Sequence, residues 1–418
     1  MIKNSILNII DRGLKALLSL ALLVLLSHYS TTETFGLMML MLVYRQVSLV
    51  VCSLGSDNFF LQSVVQRIHE KNEFKCFLEH FLLRLCVVIL LSIVSFTFLD
   101  KSHMYMVISG GFLALSSLVE NYNRAKNQVH LNIIGYIFTI FFISFYYYTL
   151  LIEGYISFSS AYSLILIEAF MGFVILIFLF ISNAKINFRK IVFRFSFRSL
   201  KPYIFASLSF SAVLAILQSR VDILVLERLG SLTEVAELGL ASRLVSLLFI
   251  PITAFNTVLI VRVNELKQND VGSEVFHKFN QLAIIFAYLL ILCSSVIFYI
   301  IFPIAFDEKY SNSLNIFYIY VIMLIPMSVL QLQTIWYYKD GLISFALYKN
   351  IATLLFCTLL LLFFIPSYGT LGAASVMVIS SFCNAYLFNF FNAKAFLILK
   401  YSYKDLFFAS YRFIKKGY

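Results

Sequence analysis

Residues 37–55 read LMMLMLVYRQVSLVVCSLG, an apolar run with one charge, Arg45, at its middle. Eight uncharged, mostly apolar residues (Leu37–Tyr44) precede Arg45, and after Gln46 eight more follow (Val47–Leu54). Neither half can cross a hydrocarbon core alone, because a spanning helix needs about 20 residues. The segment therefore crosses as one helix, with Arg45 near the midplane at a cost of roughly 2.5–3.5 kcal/mol on insertion scales. Such a cation asks for a counter-charge, a water-filled path or an anionic ligand.

Outward from this stretch the chain is of one character. Of 418 residues, 61% are hydrophobic and 13% charged, with mean hydropathy +0.90, whereas soluble domains carry about 25% charged residues. This is the composition of a polytopic membrane protein with no soluble domain attached. The 45 Phe and 25 Tyr against one Trp leave Tyr to make any interfacial belt, and the Phe clusters read as lipid-facing or interhelical packing. The net charge of +11 reports topology rather than nucleic acid. Cys52, Cys76, Cys86, Cys293, Cys357 and Cys383 are scattered in apolar context without a C-x-x-C pair, so neither a disulfide framework nor a zinc site is expected. The six histidines are dispersed, no metal or other cofactor is implied, and no P-loop motif for ATP occurs. The first apolar stretch runs into SHYSTTE with no small-x-small cleavage pattern, and it is read as a mature helix.

Twelve spans can be placed, near 6–27, 35–55, 77–99, 104–122, 131–152, 160–182, 203–226, 238–261, 279–303, 314–336, 342–364 and 371–393. Connections on one side carry only Lys101, Arg228 and Lys309, whereas the other side, with both termini, carries 22 Lys/Arg outside the spans. By the positive-inside rule that basic side is cytoplasmic. Six of those cations lie in NAKINFRKIVFRFSFRSLKP (183–202), which has no acid, and six between Lys394 and Lys416. The linker is read as a tether that sets topology, ahead of a specific lipid-binding surface. It divides the chain into an N-terminal six-helix bundle (1–182), a basic cytoplasmic linker (183–202) and a C-terminal six-helix bundle with a basic tail (203–418). TTETFGL after span 1 and LTEVAELGL after span 7 each introduce a helix with an Arg, an echo of duplication. The expected fold is all-α: about 12 transmembrane helices in two six-helix bundles, related by a pseudo-two-fold axis along the membrane normal, with the site between them.

Other spans also carry charges. In span 1 the apolar run Ala16–Leu26 is eleven residues, too short to cross, so Asp11, Arg12 and Lys15 are drawn toward the membrane. Asp11 and Lys15 neutralise each other at i,i+4, while Arg12 points elsewhere, either to lipid head groups or to a cavity. Glu168 in span 6 follows eleven uncharged residues, Ser157–Ile167. Arg220 and Asp222 in span 7 fall on opposite faces of a continuous helix, and each would need a distant partner. Arg243 lies more than a turn inside span 8, with Pro251 available for a kink. Arg84, followed by fifteen uncharged residues, is expected near the inner interface. Glu120 and Arg124, in VENYNRAKNQ, read as an ordinary interfacial ion cluster. A structural pair with a buried acid is the plain alternative for Arg45. Arginines on spans 1, 2 and 8 would otherwise line a cationic cavity suited to a polyanion, phosphate above all.

The landmarks NIIDRGLKALLSLALLVLLSHYSTTETFGL, SRVDILVLERLGSLTEVAELGLASRLVSLLFIPI, FDEKYSNSLNIFYIYVIMLIP and IPSYGTLGAASVMVIS, in this order, resemble the Wzx-type O-antigen and polysaccharide flippases. These belong to the multidrug/oligosaccharidyl-lipid/polysaccharide (MOP) exporter superfamily. The sequence departs from the pattern near ELGL, where an aromatic often follows, and in FDEKY, where Gly is common in place of Asp. The resemblance implies a non-enzymatic inner-membrane transporter with both termini cytoplasmic. It would move undecaprenyl-pyrophosphate-linked oligosaccharide to the periplasmic leaflet by alternating access. It implies substrate contacts from Arg45, Arg12 and Arg243, with Arg220 a further candidate; Glu168 and Asp222 are candidate protonation sites for coupling, since burial raises a carboxyl pKa. Implied partners are the lipid-linked oligosaccharide, membrane lipids, and the polymerase and chain-length regulator of the same pathway; nucleic acid is not among them. A drug/cation antiporter of the same superfamily would favour acids over arginines in its cavity. A membrane polymerase would need a larger outer loop than the roughly ten residues available here.

The topology is directly measurable. Reporters fused after Lys185 and at Tyr418 are expected to be active as cytoplasmic fusions, and those near Glu33, Glu153 and Asp307 as periplasmic ones. A periplasmic reading at Tyr418 would invert the placement of every charge above.

Overall fold

The protein was studied as a computed structural model. It describes residues 26–57, 60, 64, 73–98, 100–126, 128–152, 158–183, 210–211, 213–265, 274–339, 342–392 and 395–396, with scattered positions between 13 and 24. Among these residues there is no strand, and helical residues fall at each of the twelve expected spans. Among the described residues seven helices are long and apolar enough to cross a membrane, with a shorter apolar helix at Val129–Phe145. Large apolar side chains stay exposed in rows, such as Ile89, Leu90, Ile93 and Phe96, or Leu289, Leu292, Val296 and Ile300. Soluble proteins rarely leave such bands uncovered; hydrocarbon covers them here. The chain divides into two compact units, Met1–Leu217 and Gln218–Tyr418. From residue 184 the basic linker lies outside the described residues, as do Asp11, Arg12 and Lys15.

The first unit contains α1 (Thr32–Ser53), α2 (Glu73–Phe98), α3 (Lys101–Ala125), α4 (Val129–Ile152) and α5 (Phe158–Asn183). Helix α1 starts at Thr31, whose side chain accepts from the Thr34 amide, an N-cap that satisfies an orphan donor. Helix α3 packs against α1, α2 and α5, and its sequence ISGGFLALSS explains why. A Cβ at Gly110 would come within 2.7 Å of the Arg45 carbonyl oxygen and of Ser48. Only glycine lets α1 and α3 approach this closely, the small-residue packing that replaces the hydrophobic effect between helices in lipid. Ser48 Oγ then donates to the Val107 carbonyl at 2.8 Å.

The second unit contains α6 (Val221–Leu229), α7 (Leu232–Glu265), α8 (Glu274–Ala305), α9 (Ser311–Tyr320), α10 (Leu324–Lys339) and α11 (Ile343–Ala385). A 3-10 turn, Val321–Met323, joins α9 to α10 within one apolar span. Helix α11 is two antiparallel limbs. At Gly369 the backbone takes φ 56°, ψ −135°, a left-handed conformation that only glycine adopts cheaply. Cys357 Sγ and Met377 Sδ consequently lie 3.6 Å apart, where twenty residues of straight helix would separate them by about 30 Å. The expected loop PSYGT is this reversal, although the last span ends at Ala385 and continues as the 3-10 segment Leu387–Phe391, short of the expected 393.

Span 7 differs from its expectation. It is not one helix over 203–226: residues 213–218 are helical, Ser219 and Arg220 form a turn, and α6 begins at Val221 with Arg220 as its N-cap. No Gly or Pro marks the break. Arg220 and Asp222 therefore do not occupy opposite faces of a continuous helix. Asp222 lies in the first turn of α6, where a carboxylate is favoured by the helix dipole.

The close approach at Gly110 generates a prediction. Gly110→Ala overpacks the α1–α3 contact and should cost about 1–3 kcal/mol, seen as a lower melting temperature and less protein in the membrane. Gly172→Ala is the control, because a Cβ there meets Thr139 only at an ordinary 3.7 Å. Equal stability of the two variants would refute the tight contact.

Candidate functional site

The opening question about Arg45 has a geometric answer within the first unit. Arg45 lies fourteen residues into α1 and is 7% exposed. Its Nη1 donates to Glu168 Oε2 at 2.7 Å, joining α1 to α5 across 123 residues of sequence. The two residues marked separately, one as a substrate cation and one as a protonation site, form a single ion pair. Arginine presents five N–H donors, and the hydrogen bond to Glu168 uses Nη1 alone; the buried Nε has no hydrogen-bond partner among the described residues. The Glu168 side chain keeps 23% exposure against 9% for the Arg45 side chain, so the pair borders open space on the carboxylate side.

Arg84 is fully buried, and its two Nη atoms donate to four acceptors, while its buried Nε has no hydrogen-bond partner among the described residues. Nη1 donates to the Ala114 carbonyl at 2.8 Å and to Ser117 Oγ at 3.0 Å. Nη2 donates to Ser56 Oγ at 3.1 Å and Asp57 Oδ1 at 2.8 Å. Asp57 also accepts from Ser117 Oγ and Asn121 Nδ2. The turn after α1, with left-handed Leu54 and Gly55, brings Ser56 and Asp57 to this point. The cluster clamps α2 and α3 to the end of α1. Below it, Arg124 and Glu120 form an i,i+4 pair at 3.6 Å and Arg124 Nη1 donates to Asn121 Oδ1.

In the second unit Arg220 donates to Ser242 Oγ at 3.2 Å and Ser246 Oγ at 3.3 Å, tying the start of α6 to α7. Asp222 is fully buried and accepts from the Tyr320 hydroxyl of α9. Arg243 follows Ser242 on α7 and is half-buried. Arg45 and Arg243 belong to different units, and Arg12 lies outside the described residues.

One buried cation escaped the sequence reading. Lys349, 4% exposed, donates from Nζ to Tyr337 Oη at 3.0 Å and Asn389 Oδ1 at 3.3 Å and stands 4.7 Å over the Tyr337 ring. It links α10, α11 and the segment after it through neutral oxygens and an aromatic face. Its signal was present: Lys349 is a lone charge seven residues into an apolar span. Among the described residues no group of three or more His, Cys, Asp or Glu is placed to hold a metal ion.

No protein-family model and no curated protein matches the chain. Solved structures do. An outward-facing multidrug resistance MATE family transporter of the MOP superfamily superposes with TM-score 0.65 at 16% identity, covering 100% of this chain and 96% of that one. An inward-facing MATE family transporter gives 0.62 at 11% identity, covering 99% and 96%. The lipid II flippase MurJ in an inward closed conformation gives 0.63 at 15% identity, covering 100% and 94%. The chain therefore has the all-α membrane fold shared by these MOP-superfamily proteins over its whole length.

The Arg84 cluster is expected to be structural. Arg84→Ala strands Asp57 and two hydroxyls and should cost about 3–5 kcal/mol, lowering membrane level and melting temperature together. An Arg84→Ala protein as stable as the wild type would remove the clamp from this account.

Proposed function

We propose that this chain is a flippase for undecaprenyl-pyrophosphate-linked oligosaccharide, an O-antigen repeat unit or a similar one, carried from the cytoplasmic to the periplasmic leaflet of the inner membrane. The observation that carries the reading is Arg45: a guanidinium buried mid-helix and held by one carboxylate contact, through Nη1. Intramembrane cations pair or face a substrate path, and Arg45 has the features of both. Glu168 neutralises it while the site is empty, and a pyrophosphate, with more acceptor oxygens than a carboxylate, competes for the guanidinium fork. Among the proteins of this fold, one is a lipid II flippase, and its lipid-linked cargo favours the same class here.

In this mechanism the bundle alternates between inward-open and outward-open forms, with the polyprenyl tail left in lipid. Displaced from Arg45, Glu168 becomes free to bind a proton, which links substrate entry to ion movement; Asp222 is a second candidate for coupling. Arg12, Arg220 and Arg243 are further candidate contacts along the path. The product is delivered to the polymerase and chain-length regulator outside. The drug/cation antiporter reading rests on the MATE neighbours. It requires an acid available to a cation, and Glu168 is engaged by Arg45.

A double-mutant cycle tests the proposal. Arg45→Ala should cut surface polysaccharide by about 10- to 100-fold, the equivalent of losing one or two charge-assisted hydrogen bonds, and leave lipid-linked oligosaccharide in the inner leaflet. Arg45→Lys should restore part, keeping the charge without the fork. Arg45→Met with Glu168→Gln removes the pair without stranding an acid, so protein level should recover while polysaccharide stays low. Recovery of polysaccharide in that double variant would reduce Arg45 to a structural partner of Glu168.

A further inference from the structure

A cavity of about 570 Å³ lies in the first unit between the starts of α3 and α5, lined among others by Asp100, Lys101, Tyr105, Tyr162, Ser163 and Ile167. Its volume falls in the range of small-molecule sites, about 300–1,000 Å³. The wall is mainly apolar, with a minority of polar groups. Tyr105 from α3 and Tyr162 from α5 supply aromatic surface, Leu166 and Ile167 extend it, and Asp100, Lys101 and Ser163 add an acceptor, a donor and a hydroxyl. A lipid chain would meet charged groups here, and a cationic drug would meet Lys101 beside Asp100. A sugar ring matches both halves: its C–H faces lie on aromatic or aliphatic surface and its hydroxyls pair with a carboxylate, an ammonium and a serine.

The cavity's place along the helices adds a second argument. Tyr162 precedes Glu168 by six residues on α5, and Tyr105 precedes Gly110, which packs on the Arg45 carbonyl, by five residues on α3. At 1.5 Å rise per residue these offsets are about 9 Å and 7.5 Å. The cavity thus sits one to two helical turns from the Arg45–Glu168 pair, toward the end where both helices begin. The positive-inside pattern assigns that end to the outer face.

We infer that this cavity is a saccharide subsite: it receives the sugars next to the pyrophosphate of the lipid-linked substrate while Arg45 holds the phosphates. The inference rests on the flippase reading and adds to it the residues that meet the sugar. One to two turns is the reach of a sugar attached directly to an anion at Arg45. Tyr105 is the contact best suited to substitution, being half-buried, whereas Tyr162 is also part of the wall.

The test uses the full chain in nanodiscs and two probes: undecaprenyl pyrophosphate, and the lipid-linked oligosaccharide extracted from cells lacking this protein. Wild-type protein should bind the oligosaccharide probe more tightly than the bare pyrophosphate. Tyr105→Ala should weaken the oligosaccharide probe by about ten-fold, the upper range of one aromatic contact, and leave the bare probe within about two-fold. Gly172→Ala, which is outside the cavity wall and has room for a Cβ, should bind both probes as the wild type does. Loss of both probes to the same degree in a folded Tyr105→Ala protein, or loss of neither, overturns the subsite while leaving Arg45 as the anion contact. A wild-type protein that binds neither probe overturns the flippase reading, and the subsite with it.

Discussion

A charge enclosed by apolar helices must be met by something other than water, and the described part of this protein is organised around how its buried cations are met. Through its two Nη atoms Arg84 meets a carboxylate, two hydroxyls and a carbonyl, while its buried Nε has no hydrogen-bond partner among the described residues. Those four bonds tie the end of α1, the middle of α2 and α3 together, so the three cannot shift independently. Lys349 is met by neutral oxygens and a ring, which orient an ammonium without cancelling its charge. Arg45 is met by one carboxylate, through Nη1. The two arginines differ in how many acceptors converge on their Nη atoms, four for Arg84 and the Glu168 carboxylate for Arg45.

Between such points the helices are held by shape and by short polar contacts, since lipid tails offer no hydrophobic drive for helix association. In the first unit Gly110 brings α1 against α3, and Ser48 closes the contact with a hydrogen bond to a backbone carbonyl. In the second, Asn256 Nδ2 donates to the Ser328 carbonyl at 3.0 Å and to Gln331 Oε1 at 2.8 Å, joining α7 to α10. Asn312 Nδ2 likewise donates to Glu237 Oε2, joining α9 to α7. The backbone carbonyls used by Ser48 and Asn256 lie on helices whose own ladders are formed, so these bonds add connection without breaking the helix.

In the proposed mechanism the Arg45–Glu168 pair connects this packing to transport. It lies on α1 and α5, both of which pack against α3, and α3 also contributes Tyr105 and Lys101 to the cavity. In that mechanism an anion moving onto Arg45 releases Glu168 on α5, and α5 carries Tyr162, Ser163 and Ile167 into the same cavity. Binding chemistry and helix position are therefore tied through shared elements of one unit.

The sequence by itself determined the all-α membrane class, most of the spans the structure describes and the reversal near 369. Span length and apolar content are sums over neighbouring residues, and Gly in PSYGT is a local turn residue. It also placed Arg45 in mid-span, because counting uncharged residues on either side needs no third dimension. It could not assign partners. Asp57 is 27 residues from Arg84 and Glu168 is 123 from Arg45. Local periodicity says which face of a helix a residue occupies and nothing about which helix that face meets. The break at Ser219–Arg220 was hidden for the same reason: no Gly or Pro announces it, while Arg220 bonded to α7 and Asp222 bonded to α9 accompany it. Tertiary structure alone decided whether a buried charge is spent on holding the fold or remains available, since that depends on how many acceptors from distant segments converge on it.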